Sequence, residues 1–181
     1  MRYKLKKTLV LVGMMGSGKT AIGNFLAQVL DVSFNDLDRE IETAAQASIA
    51  EIFTRDGEAF FRQREHQVLA RMLTGEASVL STGGGAFMSQ DNRALIGDKG
   101  VSVCLAADVA LLWSRVRHKT TRPLLRTADP LATLTQIYND RAATYATADI
   151  VVEGRGEYSI EKMTRKVVEA LLKNGVLTEE T

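Results

Sequence analysis

The chain has 181 residues, which fits one domain and is long enough to bury a core without staples. Hydrophobic residues make up 45% and charged residues 25%, so disorder, collagen and coiled coil are excluded as its dominant character. Lys and Arg total 23 against 22 Asp and Glu, a net charge of +1 that offers nucleic acid no global basic field; the one cysteine, Cys104, excludes an intramolecular disulfide framework and a cysteine-rich zinc site.

The start, Met1 to Lys7, is basic, and the apolar run Thr8 to Val12 after it is too short for a signal peptide or a membrane span. The expectation is a cytoplasmic protein with no membrane partner, its N-terminus a solvated end. Thr8 to Val12 reads as a buried strand. Ala21, Ile22, Phe25, Leu26, Val29 and Leu30 then recur at helical spacing. A short strand is expected near Val32 to Asn35, and helix in several pieces from Leu37 to Leu73, broken near Asp56-Gly57. Strands follow at Ala77 to Ser81 and Val101 to Leu105, then a helix at Asp108 to Val116. A last strand is expected at Ile150 to Glu153. Ile160, Met163, Val167 and Leu171 mark a closing helix. Strands alternating with helices imply an α/β layer fold with a parallel sheet. The two prolines, Pro123 and Pro130, bracket a stretch that should be irregular. Arg115 to Arg126 carries Arg115, Arg117, Lys119, Arg122 and Arg126 and no acid, so it is either a solvated basic loop or an anion clamp.

Between the first strand and its helix stands Gly13-Met-Met-Gly16-Ser17-Gly18-Lys19-Thr20, which matches G-x-x-x-x-G-K-[ST] at every fixed position. Glycines let the backbone wrap a polyphosphate, and the helix N-terminus adds a positive dipole. Lys19 is expected at the β- and γ-phosphates and Thr20 as a hydroxyl ligand to Mg²⁺. This says nucleotide binding and does not separate kinases from GTPases, motors or transporters.

Asp36 and Asp38 sit at i and i+2 where a parallel strand should end, the place where open α/β sheets bind ligands. Carboxylates there can orient Mg²⁺ through water, accept a proton or hold acceptor hydroxyls; a helix N-cap explains them as well. Phe61, Glu65, Val68, Leu69 and Met72 form one helical stripe, so Glu65 borders the apolar face, with Arg62 three residues before it in pairing reach. Gly83-Gly84-Gly85 follows a strand and permits close approach of a ligand to backbone, or is simply a turn. Leu134, Tyr138, Arg141 and Tyr145 share a helical face, and Arg141 there needs a carboxylate or phosphate partner unless its stem snorkels to water. His66 and His118 lack metal-ligand spacing, and Trp113 and Cys104 read as packing residues.

The order of these motifs is more specific than any one of them. The phosphate loop, Asp36-x-Asp38, Gly57-Glu58 leading to Phe61-Arg62-x-x-Glu65, Gly83-Gly84-Gly85, Arg122-Pro-Leu-Leu125 and Arg141-x-x-x-Tyr145 closely resemble the shikimate kinases, over Leu9 to Tyr145. The resemblance implies a three-layer P-loop kinase fold: a five-stranded parallel sheet with helices on both faces and a mobile lid. It implies one kinase domain over 1–181, acceptor-binding helices about 37–73 and a lid about 115–130. The implied reaction is ATP-dependent phosphorylation of the 3-hydroxyl of shikimate to shikimate 3-phosphate and ADP, on the way to chorismate and aromatic amino acids. The implied partner is shikimate, with no nucleic acid, and the implied state a monomer. By matching positions, Lys19, Asp38 and Arg122 are catalytic, Asp38 as base or orienter and Arg122 as the lid arginine at the transferred phosphoryl. Gly16, Ser17, Gly18, Lys19, Thr20 and Ala21 hold ATP, with Arg115 stacking on adenine and Arg155 as a second adenine contact. Arg62 and Arg141 bind the substrate carboxylate, while Asp38, Gly83 and Gly84 complete the acceptor site. Thr20, and Asp36 through water, hold Mg²⁺. A kinase for another polyol acid, such as gluconate, would keep the phosphate loop and lid without needing Asp38, Arg62 and Arg141 together. A non-catalytic nucleotide-binding regulator would bind ATP without an acceptor. A nucleic-acid ATPase is disfavoured by balanced charge and the missing acidic strand of motor proteins.

Overall fold

Thr8–Val12 is buried from end to end, the pattern of a parallel strand covered on both faces. Alternate side chains take opposite faces, so Val10 and Val12 enter one apolar cluster and Leu9 and Leu11 the other. A computed structural model describes residues 2–119 and 122–180. Along the chain run β1 (Arg2–Leu5), β2 (Thr8–Val12), α1 (Lys19–Leu30), β3 (Phe34–Asp36), α2 (Leu37–Ala45), α3 (Ile49–Asp56), α4 (Glu58–Leu73) and β4 (Val79–Ser81). Then come α5 (Gln90–Lys99), β5 (Gly100–Ala106), α6 (Val109–Val116), α7 (Pro130–Tyr145), β6 (Ile150–Glu153), α8 (Ile160–Lys173) and β7 (Leu177–Glu180), with 3₁₀ turns at Ala86–Met88 and Pro123–Leu125.

Five strands form a parallel sheet in the order β3-β4-β2-β5-β6. From β2 the chain passes to the edge strand β3, returns to insert β4 beside β2, and then crosses to β5 and β6 on the other side; connections leave β2 in opposite directions, and a crevice opens there at the carboxyl ends of the strands. Three of those ends feed the phosphate loop (after β2), Asp36 to Asp38 (after β3) and Thr82 to Gly85 (after β4). Leu26, Leu30, Val167 and Leu171 of α1 and α8 cover one face. Leu69, Ile96, Leu112 and Leu134 of α4 to α7 cover the other. Gly23 on α1 is a close-contact glycine: a Cβ there would stand 2.6 Å from the Phe34 ring and 3.0 Å from Leu11.

The elements read from sequence are present with shifted ends, and three went unread: α5 and the terminal strands β1 and β7. The second strand of the parallel sheet is Phe34–Asp36 rather than Val32 to Asn35, because Val32 N bonds back to Ala27 O and completes the end of α1. Helix α5 was not expected. It buries only Asn92 and Ile96, too little for an apolar period to show. The stretch between Pro123 and Pro130, expected to be irregular, holds the Pro123–Leu125 turn and runs into the start of α7; within the expected lid, 115–130, Thr120 and Thr121 lie outside the described residues.

The N-terminus corrects the sequence reading more sharply. It is not a loose end, although its basic side chains are exposed. β1 pairs antiparallel with β7 in a separate two-stranded ribbon, from Arg2 opposite Glu180 to Leu5 opposite Leu177. Leu177, 2% exposed, anchors the ribbon in the α1/α8 cluster. Leu177→Ala is expected to lower stability by about 2 to 4 kcal/mol, read as a shifted urea midpoint at constant m. A loss below about 0.5 kcal/mol, the surface-residue range, would return the tail to the solvent.

Candidate active site

The phosphate loop is built by close approach. Gly13, Gly16 and Gly18 have φ of 144°, 79° and 97°, where L side chains are strained. A Cβ would stand 2.8 Å from Leu105 O at Gly13 and 2.7 Å from Val116 Cγ1 at Gly16. Helix α1 begins at Lys19 with no side-chain cap and no acid in its first turn. By contrast α2, α3 and α5 to α8 are all capped by a side-chain oxygen. The α1 N-terminus therefore keeps its donors and its dipole for a ligand. Ser17 Oγ, beneath it, is buried without a partner. Thr20 and Ala21 lie exposed in the first turn of α1. These features fit a polyphosphate with its metal.

Lys19 Nζ donates to Gly13 O at 2.7 Å and Met14 O at 3.0 Å. Burial, with the Arg122 guanidinium next, pushes its ammonium down to about 8. That coupling places Arg122, which heads the Pro123–Leu125 turn, in the same crevice; its Nε is buried without a partner. Arg115 on α6 donates from Nη1 to Gly16 O at 3.0 Å, so it holds the loop from outside. Arg155 is exposed beyond β6, and among the described residues it makes no hydrogen bond to the phosphate loop.

The second wall is formed by three consecutive glycines and three charged side chains. A Cβ on Gly83 would stand 2.7 Å from Asp38 Oδ1; on Gly84, 2.7 Å from Arg141 Nη1; on Gly85, 2.5 Å from Arg62 Nη2. The side chains arrive from α2, α7 and α4, far apart in sequence, and each occupies the space one missing side chain leaves. Asp36 and Asp38 divide the two readings offered for them. Asp36 is the N-cap of α2 and accepts from Arg39 N at 3.1 Å. Asp38 faces the crevice, where burial, reinforced by Asp36, Glu65 and Glu42, pushes its carboxyl up to about 6.

Arg62 Nη1 donates to both Glu65 oxygens, at 3.0 and 3.2 Å. Glu65 is 1% exposed; burial raises its pKa, opposed first by the Arg62 charge. The expected i, i+3 pair is thus a partly buried one. Arg141 shares the space beside Gly84 with Tyr145, whose hydroxyl donates to Gly84 O and whose ring stacks on Phe87. Reading the sequence gave Tyr145 a place on the Arg141 face but no task; its bond to a glycine carbonyl is a contact over sixty residues that no local period reveals. Cys104 is buried in the core, its thiol pushed up to about 11 by burial, in keeping with a packing role.

The family model for shikimate kinase matches residues 15–172. A shikimate kinase of Ruegeria pomeroyi is 60% identical over 92% of this chain and 86% of its own length. The structure resembles that of shikimate kinase from Acinetobacter baumannii in complex with shikimate, with 35% identity, a TM-score of 0.86, and coverage of 93% of this chain and 94% of that one. A gluconokinase from Sinorhizobium meliloti shares only the fold: 16% identity and a TM-score of 0.63 over 94% of each chain. With a family model spanning most of its length and relatives so similar, the chain belongs to the shikimate kinase family.

Proposed function

We propose that the protein is an ATP-dependent kinase that phosphorylates the 3-hydroxyl of shikimate, giving shikimate 3-phosphate and ADP on the route to chorismate. The observation that carries this reading is the wall at Gly83 to Gly85, where one carboxylate and two guanidiniums converge on bare backbone. A small anion with ring hydroxyls matches that set: forked guanidiniums for its carboxylate, a carboxylate for a hydroxyl. The named A. baumannii structure holds shikimate, and 35% identity with matched fold supports the same acceptor here. The fold likeness to a gluconokinase carries no acceptor.

In this reading Arg62, held by Glu65, and Arg141, beside Tyr145, take the acceptor carboxylate. Asp38 takes the 3-hydroxyl, with Gly83 and Gly84 lining the site through backbone. With a pKa of about 6, Asp38 is mostly ionised at pH 7 and able to accept a proton. The hydroxyl oxygen forms a bond to the γ-phosphorus, the bond from that phosphorus to the β–γ bridging oxygen breaks, ADP leaves, and the hydroxyl proton passes to the Asp38 carboxylate. Gly16, Ser17, Gly18, Lys19, Thr20 and Ala21 hold ATP. Thr20, and Asp36 through water, would hold Mg²⁺, which neutralises phosphate charge when bound. Lys19 and Arg122 stabilise the charge of the transferred group, while Arg115 and Arg155 face the adenine. The chain acts as a single domain, with α2 to α4 as acceptor helices and 115–130 as a lid that excludes water. The reading includes a cytoplasmic monomer without nucleic acid or membrane partners. It is supported by balanced charge and by the described residues having no helix long and apolar enough to cross a membrane.

Purified protein with Mg-ATP is expected to form ADP only when shikimate is added; ADP with gluconate alone, or none with either, overturns the reading. Lys19→Ala should abolish turnover. Arg141→Ala should raise the acceptor KM about 10- to 100-fold, the worth of a charge-assisted hydrogen bond, and leave the ATP KM within about twofold; an effect confined to ATP removes Arg141 from the acceptor site.

The pH dependence has a defined sign. Asp38 works ionised, so kcat/KM falls as pH drops below about 6; Lys19 works protonated, so it falls as pH rises above about 8. The expected profile is a bell with those limbs. Asp38→Asn should remove the acidic limb and lower kcat by about 10² to 10⁴; an unchanged rate takes Asp38 out of the chemistry.

A further inference from the structure

Behind the acceptor wall, Asn92 lies 1% exposed in the first turn of α5. Its Nδ2 donates to Ala86 O at 2.9 Å. Its amide lies close enough to the Glu65 carboxylate to favour the ionised form. Its Oδ1 lies 2.7 Å from His66 Nδ1. A primary amide has two donor hydrogens and one acceptor oxygen. Ala86 O is an acceptor, so the amide nitrogen must face it and the oxygen must face His66. His66 Nδ1 therefore carries a hydrogen and donates it. A flipped amide would set its oxygen against a carbonyl and its nitrogen against a donor, with every group buried or half-buried.

What these bonds connect gives them significance. Ala86 closes the Gly83 to Gly85 loop. Glu65 orients Arg62. Asn92 thus ties the end of the glycine wall to His66 on α4, the helix that carries Arg62 and Glu65. A buried carboxylate paired with a guanidinium is costly to bury unless its surroundings favour its charge, and the nearby Asn92 amide does so for Glu65. Resting on the acceptor assignment above, we infer that Asn92, oriented by His66, is a positioning residue: it sets the placement of Arg62 relative to the glycine loop and so tunes acceptor binding without touching the acceptor.

The test is steady-state kinetics of the full chain carrying Asn92→Leu, similar in size and without hydrogen bonds. The acceptor KM for shikimate is expected to rise roughly 10- to 100-fold, the range for lost outer-shell partners, with the ATP KM within about twofold. A ¹³C-NMR titration of Glu65 should show its apparent pKa higher than in the wild type, because the amide that favours its ionised form has gone. Should Asn92→Leu not fold, His66→Leu decides. It frees the Asn92 amide and should shift the same two readouts by less, and His66→Asn, with an amide nitrogen near the Nδ1 position, should restore them. Acceptor KM and Glu65 titration both at wild-type values in a folded variant overturn the inference, as do acceptor and ATP constants rising together, the mark of general loosening. Failure of the acceptor assignment looks different: the wild type would form no shikimate-dependent ADP, whereas the Glu65 titration in the variants still reports whether the brace exists.

Discussion

Charge buried without side chains to crowd it is the condition on which this site depends. Asp38, Arg141 and Arg62 reach one another's neighbourhood because positions 83, 84 and 85 have no Cβ, and each virtual Cβ would fall 2.5 to 2.7 Å from one of their polar atoms. Adding a methyl group anywhere on this loop would displace a charged group, because the loop backbone is fixed by β4 on one side and by the Ala86–Met88 turn on the other. The loop is therefore a mould as well as a turn. Its shape is set by the side chains that three separate helices deliver.

Burial then sets the protonation chemistry. For Lys19, Asp38 and Glu65 alike the largest influence is loss of water, which favours the neutral form. Neighbouring charges decide how far each group moves. Arg62 pulls Glu65 back toward ionisation, so Arg62 stays engaged by a carboxylate. Asp38 has acids as its nearest strong neighbours and remains raised. Arg122 lowers Lys19 further, and two cations sharing a crevice with an uncapped helix N-terminus are relieved together by one polyanion. The carboxylate poised near neutrality and the cations waiting for negative charge thus arise from one cause, desolvation at the carboxyl ends of the strands.

Much of this was legible in the sequence where information is local. The phosphate loop stands between strand and helix with its spacing intact, and Arg62 to Glu65 is a three-residue step that a helix converts directly into a 3.0 Å pair. Asp36 as a helix cap was equally local. What stayed hidden needed distant partners. β1 and β7 are short charged strands whose partners are the opposite end of the chain, and nothing in Arg2 to Leu5 alone reports Leu177. Helix α5 buries two side chains and carries no period. Asn92 is one of those two, and its partners lie on α4 and in the glycine loop; a single asparagine between Asp91 and Arg93 looks like solvated surface. The Tyr145 to Gly84 bond was out of reach for the same reason.

The two halves of the crevice are held differently, and the difference suits phosphoryl transfer. On the acceptor side Arg62 is held by Glu65, and the glycine loop by Tyr145 at Gly84 O and by Asn92 at Ala86 O. On the phosphate side, among the described residues, Lys19 bonds only to carbonyls of its own loop, and the buried Arg122 Nε has no partner. Phosphoryl transfer asks the protein mainly for alignment and for charge placed where charge develops. A braced acceptor wall holds the attacking oxygen in line at little further entropic cost. Cations that are not committed to protein carboxylates keep their full charge for the group in flight, because an ion pair formed in advance would have to be broken at the moment of reaction. Fixed where geometry matters and unneutralised where charge matters, the site divides those two tasks between the loops after β4 and β2.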